Sequence, residues 1–173
     1  MALAGSEVPV FQAQWRPSKL ELGRATAGRM RMQDAELKQL LENTKTIAVV
    51  GFSSQAHKPS FFVAKYLQSQ GYRILPINPA LQGRPSGLMG ETCYPDLKTA
   101  IAETGLKIDV VDVFRRAEHT PDVLAQAMNV GAGAVWLQQG IRNDLVEAKA
   151  RAAGLPFVMD RCLKTEHQRL FLV

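Results

Sequence analysis

From position 33 onward the chain alternates between two hydrophobic rhythms. Short, mostly apolar runs rich in β-branched residues recur at 46–50, 72–78, 108–114, 134–138 and 156–159, bounded by Gly, Pro or Asn. Between them, apolar residues return three and four positions apart. The first rhythm reads as buried strands and the second as helices with one face turned to a core. A helix is expected over 34–42, with Asp34 as N-cap and Leu37, Leu40 and Leu41 on one face. Pro59 suits the first turn of a second helix, where its missing N–H costs nothing. That helix should run to about Gln70, present Phe62, Val63, Tyr66 and Leu67 inward, and stop at Gly71. Further helices are expected from Asp96 to about Glu103, from Pro121 to near Gly131, and over 142–153.

Strands alternating with helices at this spacing imply parallel βαβ units. The fold class is therefore α/β: a Rossmann-like, doubly wound, mostly parallel sheet of five to six strands with helices on both faces. Pro76 makes a central place for the second strand doubtful. Cys93 and Tyr94 offer a short additional strand after an irregular loop over 79–90. Residues 1–31 show no sustained periodicity and are expected to be a flexible N-terminal extension, leaving 32–173 as one domain.

Composition narrows the function classes. No apolar run approaches the ~20 residues of a membrane-spanning helix. The net charge of +5 and pI near 9.4 invite a nucleic-acid reading. Much of the excess, however, sits near the ends, at Arg16, Lys19, Arg24, Arg29 and Arg31 and at Arg161, Lys164 and Arg169. Basic runs interleaved with aromatics are missing, so solvated charge plus a few phosphate contacts is the better expectation. Cys93 and Cys162 form no Cys-x-x-Cys pair, and His57, His119 and His167 lack metal-ligand spacing. No metal and no catalytic residue is expected, Cys93 reads as structural, and a reducing cytoplasm is the default compartment. Homo-oligomerisation is left open.

Ligands of open parallel sheets sit beyond the carboxyl ends of the strands, so the residues following each strand are the candidates. Gly51, Phe52, Ser53 and Ser54 lead from the first strand towards Lys58 and Pro59. Amides at such a helix start favour an anion, and the serines and lysine add donors. This turn is not a dinucleotide motif, because positions 53 and 56 hold Ser53 and Ala56 in place of glycine. The second strand ends in Asn78 and Pro79, where an NAD site would want an acid for the ribose hydroxyls. Arg115 and Arg116 follow the run at 108–114 and are suited to phosphate. Gln138, Gln139 and Gly140 follow Trp136, itself expected in the core. Cys162 stands beside Arg161, where a cation favours the thiolate; His119 is expected in solvent.

Several of these pieces together resemble a known family. Ile47 to Ser53, Lys58-Pro-Ser60, Ile77-Asn-Pro79, Tyr94-Pro95, Val111 to Arg115, Trp136 to Gly140 and Met159 to Cys162 look like the stand-alone CoA-binding domain proteins of bacteria. Those are similar to the nucleotide-binding domain of the succinyl-CoA synthetase α subunit. The resemblance covers about Gln33 to the C-terminus and implies coenzyme A as cofactor. It would place CoA phosphates on Gly51–Ser54 and Lys58, the adenosine end by Asn78 and Pro79, the cleft wall at Phe114 and Arg115, and the pantetheine arm by Gln138, Gln139 and Gly140. Arg115 and Arg116 are candidates for the ribose 3′-phosphate. The synthetase's phosphorylated histidine has no counterpart here, so ligase activity is not implied. The expected function is binding of coenzyme A or an acyl-CoA, more as a binding or sensing protein than as an enzyme, with a small-molecule nucleotide as partner. The alternatives are an enzyme acting on a CoA thioester, with Cys162 as nucleophile, and an NAD(H)-binding redox sensor.

Overall fold

The computed structural model describes residues 31–172. The extension expected over 1–31 therefore lies, apart from Arg31, outside the described residues. Five strands, β1 (Thr46–Val50), β2 (Arg73–Ile77), β3 (Val110–Val113), β4 (Ala134–Leu137) and β5 (Phe157–Val158), form one sheet in the order β2-β1-β3-β4-β5. All four pairings are parallel. Among the described residues six α-helices alternate with them: α1 (Asp34–Asn43), α2 (Pro59–Ser69), α3 (Leu97–Thr104), α4 (Thr120–Asn129), α5 (Asp144–Ala152) and α6 (Leu163–Phe171).

Alternate residues of β1 enter different cores, as strand geometry requires. Ile47 and Val49 join Leu37, Leu41, Phe61, Leu67, Trp136 and Leu163 on the face covered by α1, α2 and α6. Ala48 instead packs with Leu97, Leu124 and Val146 beneath α3, α4 and α5. A sheet buried on both faces explains why the strands read as unbroken apolar runs. Tight β1 contacts on both sides also place the reversal of strand order between β1 and β3, the position at which this architecture binds ligands.

Pro76 is resolved by geometry. It lies on the edge strand β2, and its carbonyl accepts from Tyr94 N at 2.9 Å on the side away from β1. The missing N–H faces that same outer side, so the ladder with β1 loses nothing. The additional strand at Cys93 and Tyr94 is reduced to isolated bridges, Ile77 with Tyr94 and Pro85 with Thr92.

Three local expectations are corrected. Gln33, not Asp34, caps α1, in a reciprocal capping box with Glu36. Phe62 is 44% exposed, and Phe61 packs inward in its stead, 6.1 Å from the ring of Phe52. After β5 the chain forms α6, which the strand-and-helix reading did not anticipate. Its His167 is buried, accepts or donates at Nδ1 with the Tyr66 hydroxyl at 2.9 Å, and is ringed by Tyr72 and Phe171. Arg169 clamps α6 to α1 through both oxygens of Asp34, at 2.6 and 2.7 Å. No helix among the described residues is long and apolar enough to cross a membrane.

Candidate functional site

The switch point is built around Gly51. Its φ of +84° is left-handed, and a Cβ there would stand 3.0 Å from the Phe114 carbonyl oxygen and 3.0 Å from Cδ of Arg115. Glycine thus lets the β1 turn close onto the end of β3, with the Arg115 side chain laid across it. The Gly51 and Phe52 amides both donate to the Ile77 carbonyl, at 3.0 and 3.2 Å. Ser53 N donates to Ser60 Oγ at 3.0 Å. These three amides are therefore engaged. The amides of Ser54, Ala56, His57 and Ser60 have no partner among the described residues, so the donors at the mouth of α2 come from 54–60 rather than from the first half of the turn.

Lys58 is the N-cap residue of α2, contributes no side-chain cap, and is exposed beside these amides. Pro59 occupies the first helical position as expected. Phe52 presents only backbone to the mouth, because its side chain is wholly buried. Asn78 is a strut: its Nδ2 donates to the Phe52 carbonyl at 2.7 Å, and its Oδ1 accepts from Ala80 N at 2.9 Å. The amide thus ties the β2 turn to the β1 turn, and the exposed Pro79 begins a single 3₁₀ turn, Pro79–Leu81. Phe114 is half-buried beside Arg115. Arg116 points elsewhere, 85% exposed and 4.0 Å from Glu118. His119 also stands at the surface, 3.6 Å from the same carboxylate.

Sequence reasoning assigned no role to two acids, Asp112 and Asp160. Asp112 in β3 is fully buried, and burial raises its carboxyl to about 7 against the pull of hydrogen bonds from Gln138 and Val113. Gln138 Nε2 donates to Oδ1 at 2.7 Å, while Oδ2 has no partner among the described residues. Gln138 is thereby committed to Asp112 and is itself buried. A single acid within an apolar strand was the available signal. Asp160, at φ +59°, accepts from Gly140 N at 2.8 Å and from Arg142 at 2.9 Å. The Gly140 amide and Arg142 hold the Asp160 carboxyl below the usual range.

Beyond the ends of β4 and β5, a polar cavity of about 540 Å³ opens between Gln139, Cys162 and the outer face of α6. Trp136 Nε1 donates to the Arg161 carbonyl at 2.7 Å and so anchors the segment carrying Cys162. Cys162 is partly exposed, whereas Cys93 is buried and its thiol is pushed up by desolvation. Of the residues singled out in sequence, the structure gathers Gly51, Ser54, Lys58, Phe114 and Arg115 at the switch point. It gathers Gln139 and Cys162 at the cavity, and it commits Asn78, Gln138 and the Gly140 amide to internal bonds. Among the described residues no group of three or more His, Cys, Asp or Glu is placed to hold a metal.

An open, all-parallel Rossmann-like domain whose reversal point carries a helix mouth and basic side chains belongs to a general class of α/β ligand binders. The particular family follows from comparison: residues 45–168 match the family described as CoA binding domain, and the chain belongs to that family. Among curated proteins it is similar to "Uncharacterized protein YneT" of Bacillus subtilis (strain 168), 35% identical over 133 residues, covering 77% of this chain and 93% of that one. A solved Thermus thermophilus structure, "cell-free ID.343", is 41% identical with a TM-score of 0.74, covering 81% of this chain and all of that one. A hypothetical protein from Pyrococcus horikoshii OT3 is 32% identical with a TM-score of 0.71, covering 84% and 99%.

Proposed function

We infer that the domain binds coenzyme A or an acyl-CoA, as a binding or sensing protein rather than a catalyst. The observation that carries this is the juxtaposition at the switch point: open amides over 54–60, the exposed Lys58, and Arg115 lying across Gly51. Such a mouth supplies backbone donors, a helix dipole and two cations to one anion. Membership of the CoA binding domain family supports the phosphates of coenzyme A as that anion. An enzymatic reading needs an activated nucleophile. Cys162 has no histidine partner among the described residues; His167 is buried against Tyr66 and the aromatic cluster.

Thermal-shift titration with CoA, acetyl-CoA, dephospho-CoA, NAD and NADP tests the reading. A ligand at ~100 times its dissociation constant stabilises by roughly 2.7 kcal/mol. CoA and acetyl-CoA are expected to raise the midpoint and NAD to leave it in place. A shift with NAD or NADP alone would replace this reading with a redox sensor. Consumption of acetyl-CoA during the titration would make the protein an enzyme.

A further inference from the structure

The cavity beyond β4 and β5 differs in kind from the α2 mouth. Its lining holds three arginines against three carboxylates, with Gln139, Thr165 and the Cys162 thiol completing the wall. Among the described residues no aliphatic or aromatic side chain contributes. Most of the charges are also satisfied locally: Arg169 bridges Asp34 and Glu166 at 2.6–2.7 Å, Arg161 lies 3.6 Å from Glu166, Asp160 is held by Arg142 and the Gly140 amide, and Arg31 acts on Asp160 through space. The cavity is therefore polar, close to neutral and largely engaged within itself.

Resting on the coenzyme A reading above, we propose that this cavity receives the thiol end of the ligand and restricts it to free CoA or short, uncharged acyl groups. From β1 to β5 the carboxyl edge of the sheet crosses three strand spacings, roughly 14 Å, a distance an extended pantetheine arm spans. The amide-rich arm suits a polar wall. An acyl chain does not: each methylene would lie against charged groups that lose water without gaining a partner. A carboxylate at the end of the acyl group gains little from Arg161 and Arg169, which already face Glu166 and Asp34, and at Arg31 it would compete with the nearby Asp160.

The test is a chain-length series by calorimetry with CoA, acetyl-, butyryl-, hexanoyl-, octanoyl- and malonyl-CoA. Affinity is expected to stay flat to butyryl-CoA, to fall at octanoyl-CoA, and to show no gain for malonyl- over acetyl-CoA. An apolar tunnel would instead strengthen binding about fourfold per methylene, and that rise, or a tenfold preference for malonyl-CoA, overturns the proposal. If no member binds, the coenzyme A reading itself fails. In the variant Thr165→Leu, which adds an apolar wall, octanoyl-CoA should gain on acetyl-CoA by several fold; an unchanged ratio overturns the placement of the acyl group in this cavity.

Discussion

Gln138 directly follows β4, Asp112 lies on the neighbouring parallel strand β3, and the Gln138 amide donates to Asp112 Oδ1 at 2.7 Å with both side chains buried. The other carboxyl oxygen has no partner among the described residues. Burial without a cation favours the protonated acid, in line with a value raised to about 7. The unfolded chain titrates near 3.9. Between those values the folded state holds the extra proton, so stability is full below about pH 4 and declines as pH rises through 7. The whole effect is at most about 4 kcal/mol. Asp112→Asn keeps a Gln138 partner and removes the titration. Urea unfolding of the variant should therefore lose the decline between pH 4 and 7 and exceed the wild type at pH 8. Parallel pH profiles for the two proteins would contradict this assignment.

Gly51 and Gly140 share a φ of +84°, but only Gly51 has neighbours where a Cβ would go. Gly140→Ala should thus cost only the backbone term, about 1–2 kcal/mol. Gly51→Ala adds overlap with the Phe114 carbonyl and the Arg115 stem, about 1–3 kcal/mol more. Denaturant midpoints measure the difference between the two variants. Equal losses would mean that the β1 turn does not press on β3.

How far the sequence revealed the site depended on whether a residue's partner was local. The strand at Thr46–Val50, the Pro59 helix start and the buried Trp136 were legible because periodicity and turn chemistry act within a few residues. Asn78 and Gln138 were legible as polar residues at strand ends, but not as engaged ones. Each bonds a group 26 positions away in the chain. The helix over Leu163–Phe171 was missed because its inward positions include His167, a polar residue serving as core among Tyr66, Tyr72 and Phe171. Phe61 and Phe62 are adjacent and chemically alike, so only packing on Phe52 chose between them.

The two thiols should differ in reactivity. Cys93 is 2% exposed with its thiol pushed up by burial, while Cys162 is partly exposed at the cavity. Since thiolate and access govern alkylation, iodoacetamide should modify Cys162 and spare Cys93 in the folded protein, as read by peptide mass spectrometry. Saturating CoA should slow the Cys162 reaction at least severalfold if the pantetheine arm covers it. An unchanged rate under saturation would leave the arm elsewhere.

His167 gives the opposite pH response to Asp112. Burial lowers its value below the usual 6.5, so the folded state resists protonation. Its contribution is intact above pH 6.5 and is lost as pH falls through the lower folded value. His167→Gln, which retains a polar partner for the Tyr66 hydroxyl, should be less stable at pH 7.5 but flatter between pH 6.5 and 5. Thermal midpoints across that range decide it, and an unaltered acid slope would assign the loss to another group.

The basic residues at the switch point should not be equivalent. Arg115 lies against Gly51, on the turn that leads to the open amides and Lys58, whereas Arg116 is 85% exposed and turned towards Glu118. Charged hydrogen bonds contribute about 1.5–3 kcal/mol. Lys58→Ala and Arg115→Ala should each weaken CoA on that scale, and Arg116→Ala by less than about 0.5 kcal/mol, as for exposed pairs. Dephospho-CoA identifies the phosphate concerned. A contact to the pyrophosphate predicts that the Arg115→Ala penalty persists with dephospho-CoA, because that group is retained. A penalty that vanishes with dephospho-CoA would move Arg115 to the ribose 3′-phosphate and leave the pyrophosphate to Lys58 and the amides of α2.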